Sequence, residues 1–394
     1  MAQNNDGTKK LKICLIHPGV RSYRVKLFDD LFHKYDITYI LTAGKRMNQY
    51  RKEWEEPIKK WKIKIIEDVP MVGYQRFSPG IFKELKKYDL IIASDSTSFP
   101  THAAFLWGKL VLKKKLILWN ELWTYPKIFT ARLIKPFISI MTQKADACIA
   151  AGTKARNLYK ELGADPHRIT IAPNCAVEFD DNYKNDKHVE DLRERFGLKG
   201  KKVFLYVGRI LPYKGLDNLI KAFSIIEKKF PQAFLLVGGP SVGRFEDECK
   251  QLAKKLGVKN IKFIGPIPHE NVANYYLLCD MFVLPTRFLW NSVVPSEAWG
   301  LTINEVMSLG RPVITTTAVA AGYDMIHQGK NGYIVKEGNV KALSKVMGDF
   351  LSDKKKAKQM GAEAKKTVKD EFNYDKMAEG FHEAIRIATR LKDD

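Results

Sequence analysis

The sequence has no run of about 18 consecutive apolar residues, so nothing in it reads as a membrane-spanning helix. Its first ten residues are polar and lack the apolar stretch of a signal peptide, so a cytoplasmic location is expected. Cysteine is sparse. Cys14, Cys148, Cys175, Cys249 and Cys279 are scattered and none forms a CxxC pair, which argues against a zinc module or a disulfide framework and suits a reducing compartment. A G-x-G-x-x-G fingerprint is also missing, so the usual dinucleotide signature is absent. Acid is the charge in short supply: 44 Asp and Glu face 66 Lys and Arg, and +15 of the net +22 falls in residues 1–175. Such a basic half attracts nucleic acid, anionic lipid or phosphorylated substrates. The bases are interspersed with acids and no nucleic-acid recognition motif accompanies them, so no nucleic-acid partner is expected.

What is present is a regular alternation of strands and helices over 394 residues, enough for two domains with their own cores. Buried-type strands are expected at Leu11–Ile16, Ile37–Leu41, Asp89–Ser94, Lys115–Trp119 and Ala147–Ala151, with a helix near Thr101–Leu112. Lys59–Ile66 alternates charged and apolar side chains, as an edge strand does. The pattern resumes at Val203–Gly208, Ala233–Val237, Ile261–Ile264, Met281–Leu284, Pro312–Thr316 and Gly332–Val335, and predicts α/β architecture with parallel sheets. The polar run Asp180 to Asp186 marks the boundary. Residues 1–180 form the first domain, 181–375 the second, and 376–394 a last helix with an apolar stripe of Phe381, Ile385, Ala388 and Leu391.

The chemistry concentrates in Pro295–Gly310. Glu297 and Glu305 stand eight positions apart around Gly300, which places the first in a loop and the second in a helix from Leu301 to Leu309. Gly310 suits the left-handed position after that helix. The fresh amides at the helix start favour an anion. Thr302 and Glu305 also have capping-box spacing, which would make Glu305 a purely structural cap.

Glu297 and Glu305, with Trp299-Gly300-Leu301 and Asn304 between them, resemble the E-x7-E signature of family 4 retaining glycosyltransferases, of glycosyl transferases group 1. Val207-Gly208-Arg209 followed by Lys214-Gly215 resembles the diphosphate clamp of the same family. The resemblance is sharp over about residues 200 to 340. It implies the GT-B fold: two doubly wound Rossmann-like domains facing a central cleft, the first binding acceptor, the second a nucleotide-sugar, with the last helix crossing back to the first. It further implies that Arg209 and Lys214 stabilise the leaving diphosphate and that Glu297 holds a hydroxyl of the transferred sugar. Glu305 would accept from the ribose hydroxyls. Gly300, Leu301 and Thr302 would present amides to the phosphates, helped by Gly208 and, in the first loop, Gly19. The base would lie between Gly239 and Ile267. No metal and no cofactor is called for, the nucleotide diphosphate sugar being a substrate, and the D-x-D of the rival fold is absent. The sequence departs from the family where a His-Asp pair is usual. Asn120-Glu121 stands there, and the two are candidate sugar or acceptor contacts.

Two alternatives remain beside transfer: a nucleotide-sugar epimerase of the same fold, and a non-catalytic basic binding protein. The acceptor would be a glycan or a lipid-linked sugar. Between Pro126 and Ala145, basic residues mix with Ile128, Phe129, Leu133, Phe137, Ile140 and Met141, and Lys113-Lys114-Lys115 follows Phe105-Leu106-Trp107. That mixture suits an anionic membrane surface met peripherally. A core helix with lysines facing water is the competing expectation, and Pro136 argues against one continuous amphipathic helix.

Overall fold

A computed structural model describes residues 11–42, 59–67, 69–70, 76–125, 127–176, 179, 186–290 and 296–390. The chain divides into two compact units, one built from Met1–Tyr125, Phe129–Asn174 and Tyr374–Asp394, the other from Pro126–Ile128 and Cys175–Asn373. The expected boundary at residue 180, with Asp180 and Asp181, lies outside the described residues. The units part at Asn174/Cys175 and Asn373/Tyr374, and on either side of Pro126–Ile128.

In the first unit β1 (Lys12–His17), α1 (Val25–Lys34), β2 (Asp36–Leu41) and β3 (Lys62–Ile65) are followed by a two-residue pair, β4 (Val69–Pro70) and β5 (Arg76–Phe77). Then come α2 (Ile81–Leu85), β6 (Leu90–Ser94), α3 (Phe99–Ala103), β7 (Lys115–Asn120), α4 (Phe129–Lys144), β8 (Ala147–Ala150), α5 (Thr153–Glu161) and β9 (Ile169–Ile171). Seven strands form one parallel sheet in the order β3-β2-β1-β6-β7-β8-β9. β6 and β8 are buried at every position, which is why they read as continuous apolar runs. β3 sits at the edge and keeps three of its four residues exposed, as its alternation predicted.

Two local differences from the expected pattern matter. The helix expected at Thr101–Leu112 begins as α3 and widens into a π-helix over Ala104–Val111. Helix α4 runs unbroken through Pro136 from Phe129 to Lys144.

The second unit contains α6 (Asp186–Phe196), β10 (Lys202–Val207), α7 (Leu216–Lys229), β11 (Ala233–Gly238), α8 (Phe245–Lys255), β12 (Ile261–Gly265), α9 (Val272–Leu278) and β13 (Met281–Leu284). It continues with α10 (Leu301–Ser308), β14 (Val313–Thr316), α11 (Ala320–Met325), β15 (Gly332–Val335), α12 (Val340–Ser352) and α13 (Lys354–Glu371). Its six parallel strands run β12-β11-β10-β13-β14-β15. The last helix, α14 (Tyr374–Arg390), belongs to the first unit and packs on β7, β8, β9 and α1. Phe381, Ile385 and Ala388 form its buried stripe, and Leu391 lies outside the described residues.

In both sheets the strand order reverses beside the first strand: between β1 and β6, and between β10 and β13. Loops leaving the carboxyl ends of such strands are where open parallel sheets bind ligands.

Candidate functional site

The second unit places the candidate donor residues at that edge. Gly208 and Arg209 leave β10, Gly239 leaves β11, Ile267 follows β12, and the Glu297–Gly300 loop follows β13 and leads into α10. Two backbones meet tightly here. Gly239 has φ 135°, and a Cβ on it would lie 1.9 Å from the Gly208 carbonyl oxygen, so only glycine allows the approach. Gly208 N donates to Gly238 O at 3.1 Å and Gly239 N to Gly265 O at 2.8 Å, closing the edge of β10, β11 and β12 into one surface. The Ile267 side chain lies over Gly238.

Pro212–Lys214 is a 3₁₀ turn, capped by Gly215, which turns Lys214 inward. Lys214 is buried and its ammonium pairs with the Glu297 carboxylate. It also stands 5.3 Å from the Tyr213 ring centroid. Arg209 stays exposed and its guanidinium donates to the Tyr213 hydroxyl at 3.1 Å. Thus the two cations and Glu297, read from separate motifs, come together around Tyr213.

The Glu297 loop is fixed by its backbone. Glu297 N donates to Ala318 O at 3.1 Å, and Ala321 N to Trp299 O at 3.0 Å. Gly300 follows with φ 100° as the residue before α10 and offers no side-chain cap. The leading amides of α10, on Leu301 and Thr302, therefore belong to the first turn, whose N–H groups lack intrahelical acceptors. That makes this helix start a place for an anion.

Glu305 is not the cap of its own helix. Its Oε2 accepts from the Tyr276 hydroxyl on α9 at 2.7 Å. Burial pushes its carboxyl above the usual carboxylate range, opposed by the Tyr276 hydrogen bond and by His269. Burial likewise raises the Tyr276 phenol.

Two partners of these residues, Tyr276 and Arg287, carry no motif and were not read from the sequence, and a third residue, Asn304, was read only as part of the Glu297–Glu305 signature. Tyr276 holds Glu305. Arg287, 3.0 Å from Asp217, donates its backbone N–H to Tyr213 O at 2.8 Å and so braces the turn bearing Lys214. Asn304, fully buried, accepts from Ala176 N and donates to Phe372 O, both at 2.9 Å. Its bridging role shows in the sequence only as a polar residue between the buried Ile303 and Val306 of one helix.

The first unit gathers a different set. Arg24, 1% exposed, pairs with Glu121 and donates to Asn174 Oδ1 at 2.9 Å. Its guanidinium lies 4.8 Å from the Trp119 ring centroid, and His17 stacks on the same ring at 5.3 Å. Burial and the Arg24 charge bring the His17 imidazole down to about 3, so it is neutral, and its Nδ1 lies 2.5 Å from Gly19 O. Asn120 is engaged at both ends of its amide: Nδ2 donates to Ser96 Oγ at 3.2 Å and Oδ1 accepts from Leu122 N at 3.0 Å. Gly19 and Glu121 follow the carboxyl ends of β1 and β7, and Asn120 is the last residue of β7. Among the described residues, no three His, Cys, Asp or Glu side chains converge as a metal site, and no helix is long and apolar enough to cross a membrane.

Comparison with known proteins adds four findings. Residues 188–367 match the family model described as Glycosyl transferases group 1. The chain is 29% identical over 240 residues to a GDP-mannose-dependent alpha-(1-6)-phosphatidylinositol monomannoside mannosyltransferase of Mycolicibacterium smegmatis; the aligned part is 60% of this chain and 58% of that relative. It is 26% identical over 327 residues, 77% of this chain and 80% of the relative, to spore coat protein SA of Bacillus subtilis. In structure it is similar to Anabaena Alr3699/HepE in complex with UDP, with a TM-score of 0.75 at 18% identity, covering 95% of this chain and 100% of the other. Residues 188–367 are therefore similar to the glycosyl transferases group 1 family, and the chain has the GT-B fold.

Proposed function

We propose that this chain is a retaining glycosyltransferase that moves a sugar from a nucleotide diphosphate sugar to a glycan or lipid-linked acceptor, on the cytosolic side of the membrane. The observation that carries the reading is the pairing of Lys214 with Glu297 beside Arg209, at the edge where Gly208 and Gly239 meet. As the anomeric C–O bond breaks, negative charge gathers on the departing β-phosphate. Arg209 offers a planar fork to it and Lys214 a point charge, and preorganised cations of this kind act most strongly on charge that develops in the transition state. The α10 amides take a second phosphate oxygen. Glu297 orients a hydroxyl of the transferred sugar and Glu305 the ribose. The ion pair holds the Lys214 side chain inward before donor arrives. No divalent ion has a part in this scheme.

Transfer is favoured over epimerisation because the mycobacterial relative is named as a mannosyltransferase. Its named acceptor, a phosphatidylinositol mannoside, supports the lipid-linked class. Asn120 and Glu121 line the acceptor side through their loop; Glu121, held by Arg24, orients the acceptor.

Lys214→Ala tests the reading. Loss of one electrostatic donor costs about 2.7–4 kcal/mol of barrier, or roughly 10²–10³ in kcat. Turnover of the donor, followed by release of nucleoside diphosphate, should fall by that factor while the circular dichroism spectrum is kept. Near-normal turnover in the variant removes the clamp. The anomeric configuration of the product, read by NMR coupling, decides retention.

A further inference from the structure

Helix α4 carries two apolar faces, and only one of them serves the fold. Ala131, Ile138 and Met141 are buried, and the half-buried Phe137 meets Phe105 of the neighbouring π-helix at 5.8 Å. The opposite side holds Phe129, Leu133, Pro136 and Ile140, at spacings of four, three and four residues. These spacings put them in one line along a helix. All four are exposed, Phe129 to 73% and Leu133 to 64%. The adjoining π-helix adds Leu106, Leu110 and Val111, exposed as well. An apolar line that is not needed for the core and is left facing water marks an interaction surface.

Its charge surroundings identify the occupant. Residues 95–146 contain eight Lys and Arg and three acids, of which Glu121 is held by Arg24 and Asp146 by Lys109 and Lys115. Arg132, Lys135 and Lys144 flank the apolar line, all exposed, and among the described residues no carboxylate pairs with them. A second copy of the chain docking through the same face would bring these cations against their own images. An anionic bilayer instead accepts the apolar line into its interface, while the long basic side chains reach the phosphates.

We infer that the first unit docks on anionic membrane through the Phe129–Leu133–Pro136–Ile140 line of α4 and its basic flanks. This deepens the proposed function by naming a surface where a lipid-linked acceptor is met, but it stands on the helix alone and not on the donor chemistry.

The test is flotation of the full chain with phosphatidylcholine vesicles, with and without phosphatidylglycerol, at low and high salt. No donor is present, so failure here says nothing about turnover, and failure of turnover says nothing about flotation. The chain should float with the anionic vesicles, sink with the neutral ones, and be released by salt. Arg132→Glu with Lys135→Glu should lower the partition coefficient at least about fivefold per cation removed. Phe129→Ser with Leu133→Ser should lower it about tenfold or more in the same assay, the loss of two inserted side chains. Both pairs lie on the exposed side, and thermal melting establishes that each variant is folded. Equal flotation with both vesicle types overturns the inference. So does a concentration-dependent dimer in sedimentation that Phe129→Ser with Leu133→Ser abolishes, which would assign the face to a second copy.

Discussion

Tyr276→Phe removes a single oxygen from a side chain that is 1% exposed, so it tests one hydrogen bond with little change of shape. That hydrogen bond, 2.7 Å to Glu305 Oε2, is what counters the burial of the carboxylate. A hydrogen bond to a charged group is worth about 1.5–3 kcal/mol. In the variant the Glu305 carboxyl must rise further. The sign of the consequence is set by that direction. A carboxyl whose folded value is raised contributes stability below its unfolded value, and this is lost as pH rises through the folded one. Tyr276 limits the loss by favouring the carboxylate. Tyr276→Phe should therefore match the wild type in acid, where Glu305 is protonated in both, and fall behind by about 1.5–3 kcal/mol once pH passes the folded values. Urea denaturation at several pH values reads this directly. If Glu305 binds ribose as a carboxylate, the donor KM of the variant should also rise by roughly 10–100-fold at neutral pH, and its acid limb should move to higher pH while kcat changes little. Parallel stability curves at every pH would refute the hydrogen-bond argument. A moved stability curve with an unmoved KM would instead remove Glu305 from the donor site.

Three further outcomes follow from the same geometry. Gly239→Ala must push back the Gly208 carbonyl and hold alanine at positive φ, a strain of about 1–3 kcal/mol before any clash is counted; an unchanged urea midpoint would deny the close approach. Asn304→Ala orphans Ala176 N and Phe372 O, each costing about 1–3 kcal/mol, and Asn304→Asp, which can still accept from Ala176, should fall between the two in thermal stability; equal stability of all three would discount the bridge. Excess chelator should leave donor turnover intact, and a loss restored by added divalent ion would overturn the metal-free scheme.

The grouping of Arg209, Lys214 and Glu297 in the second unit was legible because these residues sit on local devices. A glycine after a buried strand, a cation at a fixed offset, and a helix opened by glycine all show in a window of ten residues. What stayed hidden was which neighbour each side chain would meet. The spacing of Thr302 and Glu305 allows a capping box, and sequence alone has no means to prefer the actual partner, Tyr276, 29 residues earlier on another helix. In the first unit the limit was stricter. Arg24 lies in an ordinary basic segment, and only the fold shows it buried against Trp119 with Glu121 and Asn174. Helix α4 shows a third limit: its apolar residues fit a core helix and a surface helix alike, and the structure reveals both faces at once.

The stretch from Glu297 to Glu305 is tied at three points, and each tie reaches a different part of the second unit. Glu297 is held by Lys214, at the turn before α7. Glu305 is held by Tyr276 of α9. Asn304, one residue earlier, is held by Ala176 and Phe372. The last two lie within two residues of the points where the chain enters and leaves this unit. If the proposed diphosphate draws Lys214 away from Glu297, it loosens one tie of a segment whose others are buried hydrogen bonds. Each of those leaves an unsatisfied polar group if broken. The buried Asn304 therefore does more than fill space between two glutamates: it ties α10 to Ala176 and Phe372, beside two of the points where the chain enters or leaves this unit.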